Sequence, residues 1–262
     1  MVPRRPDMAP VRRFALAGPP EHGTFVFAEG EAEHALRVLR LGLGDRLIGL
    51  DGAGSAWPLV VRRAEARHFE VEADGDPTRE PAPGEPGAPL PWIEVCVPFP
   101  RGERAEAMVD RLVQLGTGAI RPLLAERASP EARSEGSRRD ERLRRTAREA
   151  CKQSGRLWNP ELHIAESLTT ILGRQATVDL VLDPRAAASA PAVLAGAPRG
   201  GTAERPIRLW IGPEGGFSPA ESAALDAAGA RRLRLAPHVL RIETAAEAAV
   251  AVVVAAVLSG PG

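Results

Sequence analysis

The 262-residue chain is poor in cysteine, almost free of lysine, without net charge and without a long apolar run. Its two cysteines, Cys96 and Cys151, are too few for a disulfide framework and stand in no zinc spacing, so free thiols in a reducing cytosol are expected. The longest apolar stretch, Ala248 to Leu258, falls short of the roughly 20 residues that a spanning helix needs. The N-terminal run MVPRRPDMAPVRRF has arginines but no apolar centre and does not read as a signal peptide. A cytoplasmic protein with no membrane partner is the expectation. His22, His34, His68, His163 and His238 show no metal-ligand spacing, and no Ser/His/Asp order suggests a triad, which favours chemistry without a metal. With 34 basic and 34 acidic residues, any attraction for nucleic acid has to come from a local patch. Lys152 is the sole lysine, so each arginine is weaker evidence of phosphate recognition than usual.

What is present is an ordinary globular composition, 44% hydrophobic and 26% charged, at a length that suits two domains. Residues 14 to 73 read as short strands at Thr24 to Phe27, Arg46 to Leu50, Trp57 to Arg63 and Phe69 to Ala73. They are broken by Gly and Asp at turn spacing, with one helix over Glu31 to Leu41, and a small barrel-like domain over 1–73 fits. Asp74 to Pro91 holds six prolines and three glycines in 18 residues and reads as a linker. From 92 to 262, strand-like runs at Ile93 to Val97, Ala119 to Leu123, Val178 to Leu182, Ile207 to Ile211 and Arg232 to Ala236 alternate with helical patterns. That alternation predicts an α/β domain with a mainly parallel sheet. The Ala/Pro-rich run from Pro184 to Pro206 reads as a long connection of the kind that serves as a mobile segment or ligand lid.

Three segments could carry chemistry. Ile207 to Glu221 reads as a strand, then Gly212-Pro213-Glu214-Gly215-Gly216-Phe217-Ser218, then a helix with an S-x-x-E capping box at Ser218 and Glu221. Its glycines can present backbone N–H groups to a ligand. It has neither a Walker pattern nor a dinucleotide fingerprint, and Glu214 would repel phosphate, so an uncharged nucleoside suits it better than a pyrophosphate. A tight β-to-α turn is the alternative. Leu235 to Thr244 also follows a strand and precedes a second capping box, Thr244 with Glu247, so both loops fall at the sheet end where open α/β folds bind ligands. For Arg241 the alternative is a surface ion pair with Glu243. Arg138 to Arg156 carries eight basic and three acidic residues, either an RNA footprint or a solvated helix face. The tail Ala245 to Leu258 reads as core or a subunit interface.

Together these segments resemble the RsmE family, SPOUT-class enzymes that methylate N3 of a uridine in small-subunit ribosomal RNA. His34 to Arg40 with Gly44-Asp45-Arg46 resembles the family's PUA-like RNA-binding barrel. Pro98 to Arg127 resembles its first βαβ unit, Arg148 to Arg156 with Pro160-Glu161 its basic helix and QSGR signature, and GPEGGFSPAE with HVLRIETA its two cofactor loops. The resemblance implies a deep trefoil knot in the C-terminal domain, a homodimer, S-adenosylmethionine as cofactor and 16S rRNA or the small subunit as partner. It implies that Gly212, Pro213, Glu214, Gly215, Gly216, Leu235, Val239, Leu240, Arg241, Thr244 and Ala245 hold the cofactor, with Leu182 closing the pocket. Arg241 would act at the target base, with the N3 proton passing to solvent or a carboxylate such as Glu243. Arg37, Arg40, Arg148, Lys152, Gln153 and Arg156 would contact RNA. The chain departs from the family at Ile242, where Thr is common, at Ala236, where Gly is frequent, and at His238, where a basic residue is usual. A knotted methyltransferase with another RNA target and a non-enzymatic RNA-binding assembly module are the alternatives.

Overall fold

The computed structural model describes residues 12–65, 68–128, 137–195 and 200–259. The arginine-bearing start before residue 12, the side chain of Arg138 and residues 196–199 of the long connection lie outside the described residues. Two compact units emerge, neither contiguous in sequence: residues 1–82 with 151–159, and 83–150 with 160–262.

The first unit is built on a five-stranded sheet in the order β1 (Arg13–Ala15), β2 (Arg46–Leu50), β3 (Ser55–Glu65) and β4 (His68–Ala73), with β5 (Thr78–Arg79) also paired to β3. β1 runs parallel to β2, and the other pairs are antiparallel. Inward-facing Phe14, Leu16, Leu47, Leu59 and Val61 form its core with Ala35 and Leu41, and Phe25, Phe27, Trp57 and Phe69 close over it. The expected strand at Thr24 to Phe27 is absent. This segment makes only single bridges, Leu16 to Phe27 and Glu21 to Thr24, because its Phe25 and Phe27 are used edge-on against Trp57 and Phe14. The expected helix is shorter too. α1 (Glu31–Glu33) continues as one π-helical turn, His34–Val38, and stops where Arg40 turns left-handed at φ 52°.

The second unit holds a parallel sheet in the order β12 (Arg231–Leu233), β10 (Val178–Leu182), β11 (Ile207–Trp210), β6 (Ile93–Val97), β7 (Ala119–Leu124) and β8 (Glu161–Leu162), with β9 (Glu166–Ser167) also on β7. Parallel strands covered on both faces are buried along their whole length, and all five residues of β6 are, the charged Glu94 among them. The helices are α2 (Glu103–Gln114), α3 (Ser137–Ser154), α4 (Leu168–Leu172), α5 (Ala190–Ala195), α6 (Pro219–Ala227) and α7 (Ile242–Leu258). Residues 151–154 of α3 group with the first unit. One sheet face carries a buried ionic lattice: Glu94 bonds Arg121 and Arg208, Arg121 reaches Glu166, and Arg208 reaches Asp179.

The two units divide within the Pro/Gly run, between residues 82 and 83, and the run carries structure on both sides of that point. Thr78–Arg79 joins the first sheet, while Gly84 donates to the Leu90 carbonyl and Trp92 to that of Gly201. Gly84, at φ 86°, lies so close to the Gly201 carbonyl that a Cβ would stand 2.1 Å from its oxygen. The 184–206 connection is not structureless, since it contains α5, and Ala190 and Arg234 tie it to β12's end by backbone bonds. The Thr244 and Glu247 capping box does not form. α7 begins at Ile242 with Arg241 as N-cap and no side-chain cap, because Glu247 is drawn to Arg111 of α2. Among the described residues no helix is long and apolar enough to cross a membrane, and no three His, Cys, Asp or Glu are grouped to hold a metal.

Candidate active site

At the C-terminal ends of β10, β11 and β12 the second unit opens a cavity of about 320 Å³. Adjacent register partners build its floor: Leu182 lies opposite Leu233, and Val181 opposite Trp210, so the next residues, Asp183 and Ile211, reach the same rim. The loop 212–217 forms one wall, and Leu235, Ala236 and His238 to Leu240 form another, with Ile242 and Ala245 of α7 behind. Both loops therefore meet around one space, in the volume range of small-ligand sites.

The glycine loop is held from both sides. The Ser218 hydroxyl accepts the Glu221 N–H at 3.1 Å and Glu221 accepts that of Ser218 at 2.8 Å, the reciprocal capping box read in the sequence, with Pro219 following. The other oxygen of Glu221 accepts the N–H of Glu126 at 2.9 Å, tying α6 to the end of β7. Arg127 donates to the carbonyls of Gly215 and Phe217 at 3.1 and 3.4 Å. Within the loop the Gly216 N–H closes on the Pro213 carbonyl at 2.7 Å. Gly216 sits at φ 69°, a conformation that a side chain would strain, and a Cβ on Gly212 would press the Phe217 ring at 3.2 Å.

The charges at the rim are sorted. Asp183 is opposed by its own burial, yet the Arg185 N–H and the Arg232 guanidinium hold its carboxyl below the usual aspartate value. Glu214 lines the cavity, exposed. Glu243 is taken up elsewhere: both of its oxygens accept N–H bonds from Arg104 at 2.9 and 2.8 Å. That hydrogen bonding, against burial, holds its carboxyl below the usual glutamate value. A carboxylate so occupied is a poorer proton acceptor, which weighs against the role suggested for Glu243 and in favour of solvent. The alternative ion pair between Arg241 and Glu243 does not form either. Among the described residues Arg241 makes no side-chain hydrogen bond or ion pair.

Of the residues expected to hold a cofactor, Leu182, Gly212, Pro213, Glu214, Gly215, Gly216, Leu235, Val239, Leu240 and Ala245 line the cavity. Arg241 and Thr244 do not; both are exposed at the head of α7. Sequence reasoning missed Arg127, Asp183 and Arg232, while Phe217 falls inside the loop it singled out. Of the three, Arg127 had a local signal, an arginine shortly past a predicted strand end.

The expected RNA residues scatter. Arg37 is exposed in a pair with Glu33, Arg40 and Gln153 are exposed, and Arg148 is half-buried. Lys152 is not available: its ammonium lies 2.5 Å from the buried Glu31, whose other oxygen accepts the Ala15 N–H, so the only lysine serves the packing of the first unit. Arg156 is half-buried, and burial lowers its basicity. Along α3, Arg142 pairs with Glu106 and Arg144 donates to the Leu162 carbonyl. The net charge of the helix therefore overstates its free charge.

Residues 87–254, which carry the parallel sheet, both loops and the cavity between them, match the family described as the RNA methyltransferase domain. A ribosomal RNA small subunit methyltransferase E from Mycobacterium bovis is 30% identical over 89% of this chain and 87% of its own, and one from Synechocystis is 28% identical over 92% and 77%. Among solved structures, a methyltransferase from Legionella pneumophila with bound S-adenosylmethionine superposes with a TM-score of 0.79 at 25% identity, covering 95% of this chain and 98% of that one. The Neisseria gonorrhoeae methyltransferase E gives a TM-score of 0.75 at 24% identity, covering 92% and 95%. The chain belongs to the ribosomal RNA small subunit methyltransferase E family.

Proposed function

We propose that the protein transfers a methyl group from S-adenosylmethionine to N3 of a uridine in 16S rRNA. The observation that carries this reading is the meeting of the 212–217 and 235–240 loops around one cavity at the strand ends. The cavity fits that donor. Its lining is apolar at Leu182, Leu233, Leu235 and Leu240, suited to an adenine ring, and the glycine loop lets a ligand approach the main chain closely. When bound, S-adenosylmethionine supplies an electrophilic methyl group.

The chain's own residues then have to align the acceptor and exclude water, since an in-line displacement gains most from orientation. Uracil N3 carries a weakly acidic proton that must leave for its lone pair to attack. Arg241 would stabilise the developing negative charge through N–H bonds to a ring carbonyl, while the proton passes to solvent. Because N3 lies on the pairing edge, the target has to be unpaired or flipped out, at a few kcal/mol of unstacking. Exposed Arg37, Arg40 and Gln153, with Arg148, would grip the rRNA backbone.

The same reading takes the first unit as a PUA-like barrel, the second as a SPOUT fold with a trefoil knot, and the working form as a cytoplasmic homodimer. Val239, 79% exposed on a cavity loop, and Leu258, 65% exposed at the end of α7, support an uncovered partner surface. Primer extension on rRNA from a strain lacking the gene tests the chemistry, because an N3 methyl blocks pairing and stops reverse transcriptase. The stop should vanish and return on complementation; an unchanged stop with unaltered 3-methyluridine content overturns the reading.

A further inference from the structure

We propose that Arg104 is a positioning residue that keeps Arg241 free for the substrate by occupying both oxygens of Glu243. The inference rests on the reading of Arg241 given above.

Arg241 is the N-cap of α7 and Glu243 lies in its first turn, two residues on. They are oppositely charged and close enough to act on each other: Arg241 is one of the cations that lower the Glu243 carboxyl. Left alone, such a pair would close, and a guanidinium engaged by its neighbour offers fewer donors to a uracil carbonyl. In the structure the pair is open. Arg104, in the first turn of α2, approaches instead and donates Nε to one oxygen and Nη2 to the other, at 2.9 and 2.8 Å, the fork geometry that only arginine supplies. The Glu243 side chain is 12% exposed, so this contact is largely shielded from solvent. Its carboxylate also sits at the N-terminus of α7, where the helix dipole favours negative charge and holds it in place.

Nearby charges are consistent with this role. Glu214 of the glycine loop is the other carboxylate acting on Arg104, and it makes no hydrogen bond among the described residues. Arg104 thus feels the Glu214 charge of the glycine loop while making its hydrogen bonds to Glu243 of α7. One turn further along, Arg111 of α2 pairs with Glu247 of α7 at 3.1 Å, a more exposed contact whose carboxylate lies six residues beyond Arg241 in the chain. A merely structural clamp between the two helices would make the two pairs equivalent; a device for freeing Arg241 makes only the first one matter.

The test is single-turnover methylation of 30S subunits at saturating S-adenosylmethionine, with cofactor affinity measured separately by calorimetry. Arg104→Ala should leave cofactor affinity little changed and lower the rate by about 10²-fold, the scale of a misplaced catalytic group. Removing the competing charge in the double variant Arg104→Ala/Glu243→Gln should recover most of that loss. Arg111→Ala should react at the wild-type rate. Arg104→Lys, which conserves charge but cannot fork, should fall in between and serves as the readout if Arg104→Ala does not fold. A wild-type rate in Arg104→Ala overturns the proposal, as does a double variant as slow as the single one. Arg241→Ala separates the two claims: if it reacts at the wild-type rate, the reading of Arg241 fails; if it is slow while Arg104→Ala is not, only the inference fails.

Discussion

Replacing Glu94 by Gln removes one charge, and almost no volume, from the most deeply buried ionic lattice of the second unit. Glu94 is 4% exposed, between Arg121 at 7% and Arg208 at 1%. Its oxygens accept N–H bonds from Arg121 at 2.9 Å and from Arg208 at 2.7 Å. Removing one partner of a buried ion pair costs about 3–5 kcal/mol, because the other charge remains out of water. Here neither cation is left alone. Arg121 keeps Glu166 at 2.6 Å, and Arg208 keeps Asp179 at 3.3 Å with the carbonyls of Arg174 and Gln175. The loss should therefore fall near the lower figure, about 3 kcal/mol, even though the amide N–H₂ of the new side chain must face one guanidinium. In urea unfolding followed by circular dichroism, a slope near 3 kcal/mol per molar turns this into a midpoint roughly 1 M lower for the second unit. A shift under about 0.2 M would mean that the lattice contributes little and that apolar packing of β6 against its neighbours suffices.

His163 is pushed below the usual histidine value by burial first and by the nearby Arg121 second. Its neutral form is the folded one, so the stability it contributes is full above about pH 6.5 and is lost as acid protonates the unfolded chain. Urea midpoints between pH 7 and 5 should fall less steeply in His163→Asn than in the wild type, and parallel curves would refute this. Burial raises Cys151 to about 11 and Cys96 also upward, so neither thiol should react appreciably with Ellman's reagent at pH 8 until the protein is denatured. Rapid labelling of the native protein would show that these sites open. Gly216→Ala meets no atom but must hold φ 69°, which should cost about 1–2 kcal/mol of loop stability and weaken S-adenosylmethionine binding in calorimetry. Undiminished affinity would mean that the loop's backbone does not set the site.

How far the sequence could be read follows from where each signal resides. Strands β6, β10 and β11 were legible because a sheet covered on both faces demands mostly apolar, β-branched runs, here interrupted by only one charged residue each, and the glycine loop because its glycines and its capping box are local requirements of a strand-to-helix turn. The short strands β1, β5, β8 and β9 were not, since two or three residues carry no periodicity. Charge was the least legible property. Arg104, Arg121, Arg142 and Arg208 look alike in a chain with one lysine, yet one holds a carboxylate beside the cavity, two are buried in the sheet lattice and one pairs across helices. Each pairing joins residues at least 27 positions apart, which no window of sequence contains. The same holds for Lys152, whose place in a basic run suggested RNA until Glu31, 121 residues away, was brought against it. A local excess of basic residues thus measures how much cation the chain supplies, while the fold decides how much is left for RNA; in α3 the remainder is nearer to Arg145 and Arg148, neither of which has a side-chain partner among the described residues. Salt-dependent binding should therefore weaken on Arg148→Ala and much less on Arg142→Ala, although both remove one charge from the same helix.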